Sequence, residues 1–162
     1  MSRIKTLIKL VRDNNWTRGA ELGVWQGELL NALMAEFSPD LTMIAVDNWE
    51  PTFSPVKKDI ETGETDLSGK DMEGAKRMVN LIVRAYEPRI QVIQLDTVAA
   101  AAYVPDASLD FVFVDADHRT ASVLADINAW MPKLKSSGWM TGHDLHWPSV
   151  KRAVEQRLPG YQ

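Results

Sequence analysis

The sequence contains no cysteine among its 162 residues. Disulfides, thiolate zinc sites and cysteine nucleophiles are therefore excluded. The chain also lacks the run of ~20 apolar residues that a membrane span requires, and its N-terminus has no continuous apolar segment of the kind that signal peptides carry. These absences predict a cytoplasmic protein that has no membrane partner.

Basic residues are neither abundant nor clustered. The chain has 18 Lys and Arg against 22 Asp and Glu, which gives a net charge of −4. The basic pairs Lys57-Lys58 and Lys151-Arg152 lie far apart. Because a nucleic-acid footprint needs clustered Lys and Arg, we predict no nucleic-acid partner. The length suits a single domain, which we predict to span residues 1–162.

Short apolar runs alternate with helical patterns along the chain. The runs predict five strands: Arg18 to Gly23, Leu41 to Asp47, Ile90 to Leu95, Leu109 to Val114 and Trp139 to Thr141. Apolar residues spaced by three and four predict helices over residues 4–15, 27–37, 72–86, 123–134 and 148–158. This alternation indicates an α/β fold, a doubly wound and mainly parallel sheet that helices cover on both faces.

Polar side chains follow the carboxyl ends of the predicted strands. Where the winding of such a sheet reverses, the ends of strands one and four lie side by side, and ligands bind there. The chain places acids or histidines at five strand ends: Glu21, Asp47, Asp96, Asp115 to His118, and His143-Asp144. We therefore predict one binding site at this edge of the sheet.

The turn after strand one carries the pattern Gly23-x-x-x-Gly27. It lacks the Gly-x-Gly-x-x-Gly of a dinucleotide fold, and Glu21 precedes the first glycine by two residues. A carboxylate there is a poor neighbour for phosphates and a suitable one for a cationic or amino-acid group. Asp47 ends strand two, where doubly wound folds hold ribose hydroxyls. Together these residues predict a nucleoside-cofactor pocket.

With these motifs the chain resembles the class I S-adenosylmethionine-dependent methyltransferases, in particular the small O-methyltransferase branch of catechol and macrolide-sugar type. The resemblance extends from Thr17 to about Leu158, and the runs Phe111 to His118 and Gly142 to Leu145 carry it. It implies a Rossmann-like fold with strand order 3-2-1-4-5. Strands 6 and 7 of the family would be missing, which would leave the edge of strand five exposed. An exposed edge needs covering, so a homodimer contact is one hypothesis.

The resemblance assigns roles to the strand-end residues. Glu21 and Gly23 would face the methionine part of S-adenosylmethionine, Asp47 the ribose diol and Asp96 the adenine amino group. Asp96-Thr97 is equally typical of a helix N-cap, so both interpretations stay open. The full implied cofactor set is Glu21, Gly23, Val24, Trp25, Gly27, Asp47, Asn48, Trp49, Asp96, Thr97 and Asp115.

The implied chemistry is methyl transfer to a hydroxyl group of a small molecule. Such an acceptor needs a general base or a divalent cation that lowers its pKa. The catalytic candidates are Asp115, His118 and Asp144, and the implied metal ligands are Asp115, His143 and Asp144. His143 stands where many metal-using relatives have a carboxylate, so Mn²⁺ is a candidate beside Mg²⁺. Without a metal, His118 is the candidate base because imidazole titrates near neutral pH.

Three other functions remain open from the sequence. They are a NAD-dependent oxidoreductase, a metal-dependent hydrolase built on the same acids and histidines, and a non-catalytic nucleoside-binding module. The polar stretch from Glu50 to Lys70 is interpreted either as a lid over the acceptor or as a surface loop. No motif identifies the acceptor.

Overall fold

The computed structural model of the protein describes residues 2–50 and 71–161. Six α-helices are described: α1 (Arg3–Asp13), α2 (Glu28–Glu36), α3 (Met72–Ala85), α4 (Thr97–Ala100), α5 (Thr120–Trp130) and α6 (Pro148–Arg157). The strands are β1 (Arg18–Leu22), β2 (Thr42–Val46), β3 (Ile90–Ile93), β4 (Leu109–Val114) and β5 (Leu134–Gly142). Apart from Glu50, the stretch interpreted as a lid or a loop lies outside the described residues.

The five strands form one sheet in the order β3-β2-β1-β4-β5. Every described strand pair is parallel, and β1 pairs with β2 on one side and with β4 on the other, with Glu21 between Ala45 and Phe113. The chain therefore reverses its winding between β1 and β4. The predicted strand order and the doubly wound architecture are confirmed.

The connection into β5 differs from the prediction. Helix α5 ends at Trp130, Met131–Lys133 forms one turn of 3₁₀ helix, and β5 starts at Leu134 rather than at Trp139. Pro132 in this turn lacks the N–H that a continuing helix would use. The first part of β5 was missed because its sequence, Lys135 to Gly138, is polar and contains a register shift against β4 rather than an alternating apolar pattern.

Apolar side chains fill both faces of the sheet. On one face, Leu7 and Val11 of α1 pack with α2 and α3, and the ring of Trp16 stacks on that of Phe111 at a centroid distance of 5.2 Å. The other face packs against α4 and α5 around the fully buried Trp130. The helices packed on the two faces fix the positions of the strand ends. A site built from five separate turns requires such fixed positions.

β5 is the last strand of the sheet, as expected, and Trp139 on it is 47% exposed. A dimer contact along this edge stays a prediction. Among residues 2–50 and 71–161, no helix has both the length and the apolar character needed to span a bilayer.

A buried carboxylate ties three strands together at the end of the sheet opposite the predicted site. One oxygen of Asp110 accepts hydrogen bonds from the backbone amides of Thr17 and Arg18, each at 2.9 Å, and the other accepts one from Lys135 Nζ at 2.6 Å. Burial alone would raise the pKa of Asp110, but the hydrogen bonds from Lys135, Thr17 and Arg18 outweigh it and lower the pKa below its ordinary value.

We expect Asp110→Ala to destabilise the fold by about 2–4 kcal/mol, because it leaves two backbone amides and one ammonium group without their charged acceptor. The depressed pKa means that the unfolded chain binds the proton more readily. The contribution of Asp110 is therefore complete above the unfolded pKa near ~3.9 and is lost as the pH falls through the lower folded pKa. Urea unfolding between pH 3 and 7 measures both effects. Asp106→Ala, at a carboxylate that is 70% exposed beside Lys133, is the control and should change stability by less than about 1 kcal/mol.

Candidate active site

A cavity of about 750 Å³ opens at the carboxyl ends of the strands. Its size lies within the range of small-molecule and cofactor sites. Most of the predicted site residues line it: Glu21, Gly23, Val24, Trp25, Asp47, Asn48, Asp96, Thr97, Asp115, His118 and Asp144. Separate strand ends therefore meet at one cavity, as the sequence predicted.

Glu21 lies at the bottom of this site, on the central strand. Its side chain is almost fully buried at 3% exposure, and its Oε2 has no hydrogen-bond partner among the described residues. Burial raises the pKa of the Glu21 carboxyl well above its usual value, the nearby Asp115 raises it further, and Arg3 lowers it. Arg3 is paired with Asp115 instead, and Glu21 forms no ion pair with another described residue. It is therefore suited to bind a cation that a ligand brings.

Asp47 orders two turns at once. Its Oδ2 accepts a hydrogen bond from the backbone N–H of Trp25, and its Oδ1 accepts one from that of Trp49, both at 2.8 Å. The indole N–H of Trp49 then donates to the carbonyl oxygen of Trp25 at 2.9 Å. Both tryptophans have positive φ angles, 47° and 51°, which is unusual for bulky side chains. Backbone strain of this kind concentrates at ligand sites.

The two predicted glycines serve the turn in different ways. Gly23 has φ 84°, and a Cβ there would lie 2.3 Å from the carbonyl oxygen of Asp115, so only glycine allows β1 and β4 to approach this closely. Gly27 has φ 78° and is the N-cap of α2, and a Cβ there would meet the side chain of Ile82. Gly27 thus faces the core rather than the cavity. Its contact with a cofactor stays a prediction.

Asp96 and Thr97 begin α4 at one end of the cavity. Asp96 Oδ1 accepts hydrogen bonds from Val98 N at 2.9 Å and from Ala99 N at 3.3 Å, so the N-cap interpretation is correct. Thr97 donates its hydroxyl to Asp126 Oδ1, and its carbonyl oxygen accepts a hydrogen bond from the indole of Trp130 at 2.8 Å. Two side chains of α5 therefore fix the start of α4, and with it the position of Asp96.

Asp126 is a cavity residue that the sequence did not single out. It is 1% exposed and its Oδ2 has no hydrogen-bond partner in the described part of the chain. Burial raises the pKa of Asp126 to about 6, although the bond from Thr97 lowers it. The sequence does place Asp126 among the apolar residues of the buried face of α5. This position could have identified it, because charged residues are seldom fully buried unless they are paired.

Two carboxylates and two imidazoles meet at the ends of β4 and β5. His118 Nε2 lies 2.9 Å from Asp144 Oδ2 and 3.6 Å from Asp115 Oδ1. His143 Nδ1 lies 3.1 Å from Asp144 Oδ2 and 3.7 Å from Asp115 Oδ1. One potential ligand atom from each of Asp115, His118 and Asp144 falls within 4.8 Å of the others. The resemblance implies His143 as the third metal ligand beside Asp115 and Asp144. The geometry offers His118 for that same position.

Asp144 is aimed at this cluster by its backbone. Its φ is 55°, a left-handed conformation that Asp tolerates better than most residues, and its carbonyl oxygen accepts a hydrogen bond from Trp147 N at 2.8 Å. The ring of Trp147 packs against that of His118 at a centroid distance of 4.7 Å. The exposed His146 lies at the periphery, 3.8 Å from Asp144.

Two predicted residues besides Gly27 lie outside the cavity lining. Trp49 is buried at 6% exposure, and its indole N–H holds the turn at Trp25 by donating to the Trp25 carbonyl oxygen. Within residues 2–50 and 71–161, the ion-pair contacts of the His143 imidazole are with Asp115 and Asp144. Asp117 does line the cavity. Its carboxylate accepts hydrogen bonds from the side chains of Arg119 and Ser122, which order the loop before α5. Arg3 of α1 enters the cavity and was not anticipated.

The comparisons with known proteins address the family and the fold of the chain. A family model described as a methyltransferase domain matches residues 20–145. No curated protein matches the sequence. Among solved structures, the calicheamicin methyltransferase CalS11 is 17% identical with a TM-score of 0.71, over 98% of this chain and 74% of that chain.

Two further structures share the fold. The O-methyltransferase TomG from Streptomyces achromogenes, solved with S-adenosylmethionine, is 16% identical with a TM-score of 0.66, over 99% of this chain and 69% of that chain. PaMTH1 from Podospora anserina, bound to S-adenosylhomocysteine, is 17% identical with a TM-score of 0.59, over 86% of this chain and 52% of that chain. Since the family model spans most of the sequence, the chain belongs to the methyltransferase-domain family and is a class I S-adenosylmethionine-dependent methyltransferase by family and fold.

Proposed function

We propose that this protein transfers a methyl group from S-adenosylmethionine to a hydroxyl group of a small molecule, assisted by a divalent cation. One observation carries the proposal: a single cavity joins the acids suited to the cofactor with the carboxylate–imidazole cluster of Asp115, His118 and Asp144. Methyl transfer is an in-line displacement, so a protein catalyses it mainly by aligning the acceptor and managing its proton. The carboxylate–imidazole cluster supplies groups that can manage the proton, and its place in the same cavity as the cofactor acids supports the proposal.

The residues present fit the cofactor. The buried Glu21 lacks a partner for Oε2, and a ligand ammonium group would supply one. Each Asp47 oxygen accepts a backbone amide and keeps a further lone pair for a ribose hydroxyl. When bound, S-adenosylmethionine supplies the methyl group on its sulfonium. The O-methyltransferase TomG shares this fold, which supports an oxygen acceptor.

The residues also fit a divalent cation. Asp115, His118 and Asp144 are each less than 15% exposed at the side chain and converge on one point. Two carboxylates and an imidazole suit Mn²⁺ better than Mg²⁺, which prefers oxygen ligands alone. A bound cation lowers the pKa of a hydroxyl acceptor. If no cation binds, the same geometry leaves His118 to accept the proton, with Asp144 at 2.9 Å stabilising the imidazolium.

The family match favours methyl transfer over the oxidoreductase and hydrolase alternatives. It leaves a non-catalytic nucleoside-binding module as the competitor. The strained backbone at Trp25, Trp49 and Asp144 and the cluster at the end of β4 favour an enzyme, because a binding module has no need of a proton acceptor beside the reacting group.

Native mass spectrometry of the purified protein with S-adenosylhomocysteine tests the cofactor. We expect one nucleoside to be retained per chain. Asp47→Ala should weaken its binding at least about tenfold, because the variant loses both the ribose acceptor and the two bonds that hold the turns at Trp25 and Trp49.

Asp40→Ala, at an exposed acid just before β2, is the matched control and should retain the nucleoside as the wild type does. Unchanged retention by Asp47→Ala would contradict the assignment of the ribose site. A panel of phenolic and sugar hydroxyl acceptors, assayed with and without Mn²⁺, then separates an enzyme from a binding module.

A further inference from the structure

The first turn of α1 delivers a cation into the cavity. Arg3 Nη1 donates to Asp115 Oδ2 at 3.0 Å, and Nη2 lies 3.5 Å from Glu28 Oε2 at the start of α2. Its side chain is 31% exposed, so the guanidinium is partly shielded and still reachable. A guanidinium has five N–H donors, and these two contacts leave others for a ligand.

The placement of Arg3 follows from the pattern of its helix. Arg3, Leu7 and Val11 are spaced by four residues and therefore share one face of α1. Leu7 and Val11 are 2% and 1% exposed within the core. The buried face of α1 thus carries Arg3 at its N-terminal end, next to the cavity. The packing of α1 against the core therefore fixes where the guanidinium lies.

The cavity is otherwise strongly acidic. Two arginines line it in the described part of the chain, and the guanidinium of Arg119 already donates to both oxygens of Asp117. The carboxylates among the described lining residues are Glu21, Glu28, Asp47, Glu50, Asp96, Asp115, Asp117, Asp126 and Asp144. An anionic ligand group would be repelled over most of this surface, and Arg3 is the cation best placed to receive one.

S-adenosylmethionine has one anionic group, the carboxylate of its methionine part. Its ammonium and sulfonium groups are cations, and Glu21 and the other acids suit them. Arg3 lies between Asp115 at the end of β4 and Glu28 at the start of α2, beside the turn at Gly23 where the methionine part is expected. We propose that Arg3 binds this carboxylate, so that α1 selects nucleosides that carry an intact amino acid. The inference rests on the cofactor of the proposed function.

The test compares two ligands that differ only in this group: S-adenosylmethionine and its decarboxylated form, which retains the ammonium and the sulfonium. Isothermal titration calorimetry gives both dissociation constants. The wild type should prefer the carboxylate-bearing ligand, and Arg3→Ala should reduce that preference by about 10- to 100-fold, the range expected for hydrogen bonds to a charged group. Arg3→Lys keeps the charge without the planar fork and should restore part of the preference.

Arg12→Ala is the matched control. Arg12 is also on α1 and pairs with Glu36 of α2, so its loss removes an ion pair between the same two helices at a distance from the cavity. This variant should keep the wild-type preference. If Arg3→Ala instead weakens both ligands equally, Arg3 only stabilises Asp115 and the inference is overturned.

Failure of the proposed function would look different, because the wild type would then bind neither ligand. Should Arg3→Ala unfold, Arg3→Met retains much of the side-chain packing and makes the same comparison. Circular dichroism of each variant confirms that the comparison is between folded proteins.

Discussion

Asp144→Ala is expected to bind Mn²⁺ at least about 100-fold more weakly than the wild type. Loss of a residue that merely supports a metal ligand costs about 10–100-fold, and Asp144 is itself one of the proposed ligands. Its Oδ2 lies 2.9 Å from His118 Nε2 and 3.1 Å from His143 Nδ1, whereas Asp115 Oδ1 lies 3.6 and 3.7 Å from the same atoms. Removing it leaves Asp115 as the remaining carboxylate of the cluster.

Electron paramagnetic resonance of free Mn²⁺ titrated with the protein measures this loss directly and needs no acceptor. Asp106→Ala removes an exposed carboxylate beside Lys133 and should leave Mn²⁺ binding unchanged. Asp115→Ala should resemble Asp144→Ala, with one difference: it also removes one of the two carboxylates beside Arg3, so that Glu28 alone of the pair still offsets the guanidinium charge near the cation. Binding of Mn²⁺ by Asp144→Ala at wild-type strength would contradict a metal at this cluster.

Replacing His118 and His143 one at a time distinguishes the ligand set that the resemblance implies, which contains His143, from the set that the geometry favours, which contains His118. His118 belongs with Asp115 and Asp144 in the group whose ligand atoms lie within 4.8 Å of one another. We therefore expect His118→Ala to weaken Mn²⁺ binding more than His143→Ala does. The opposite order would favour the ligand set that the resemblance implied. Equal and negligible effects of both would indicate a metal-free site in which His118 accepts the proton.

The fold was predictable because its central strands β1, β2 and β4 are buried on both faces. Apolar runs such as Phe111 to Val114 are typical of central parallel strands, and their alternation with helices leaves few topologies. The prediction was wrong for the start of β5, where a polar segment with a register shift at the sheet edge has no apolar pattern. Edge strands pair on one side only, so packing constrains their sequence less.

The site was predictable where a residue type follows a strand end. Glu21, Asp47 and Asp115 needed only the strand assignment, because parallel strands bring their carboxyl ends together. Arg3 and Asp126 could not be placed in the same way, since they reach the cavity from helices whose docking depends on tertiary packing. Each does occupy an apolar helical face, and a charge on such a face is the pattern that would have found them.

Glu21→Gln is expected to weaken binding of S-adenosylmethionine by on the order of 10²–10³-fold, the cost of removing one partner from a buried pair of charges. The same substitution should make the ligand-free protein more stable. Burial raises the pKa of Glu21 well above its usual value, with Asp115 and Asp47 adding to the rise and Arg3 opposing it. The carboxylate is thus held in the cavity at a cost in stability, and a ligand cation relieves that cost.

The sign of the pH dependence follows from this shift. Between the ordinary Glu pKa near ~4.3 and the raised pKa of Glu21, the folded chain binds more protons than the unfolded chain, so its stability falls as the pH rises through that window. Glu21→Gln removes this fall. Its melting temperature should exceed that of the wild type at neutral pH, by about 2–4 °C for each 1 kcal/mol, and the two should converge near pH 4.

If Glu21 is a binding residue, Glu21→Gln should lower the affinity for S-adenosylmethionine and raise the melting temperature of the ligand-free protein. A residue kept for stability would lower the melting temperature when replaced, and its effect on binding would follow from partial unfolding. Glu36→Gln removes a more exposed carboxylate on α2 and should change neither quantity much. If Glu21→Gln lowered both the stability and the affinity, the carboxylate would be part of the scaffold, and the cation of the cofactor would have to be held by another acid of the cavity.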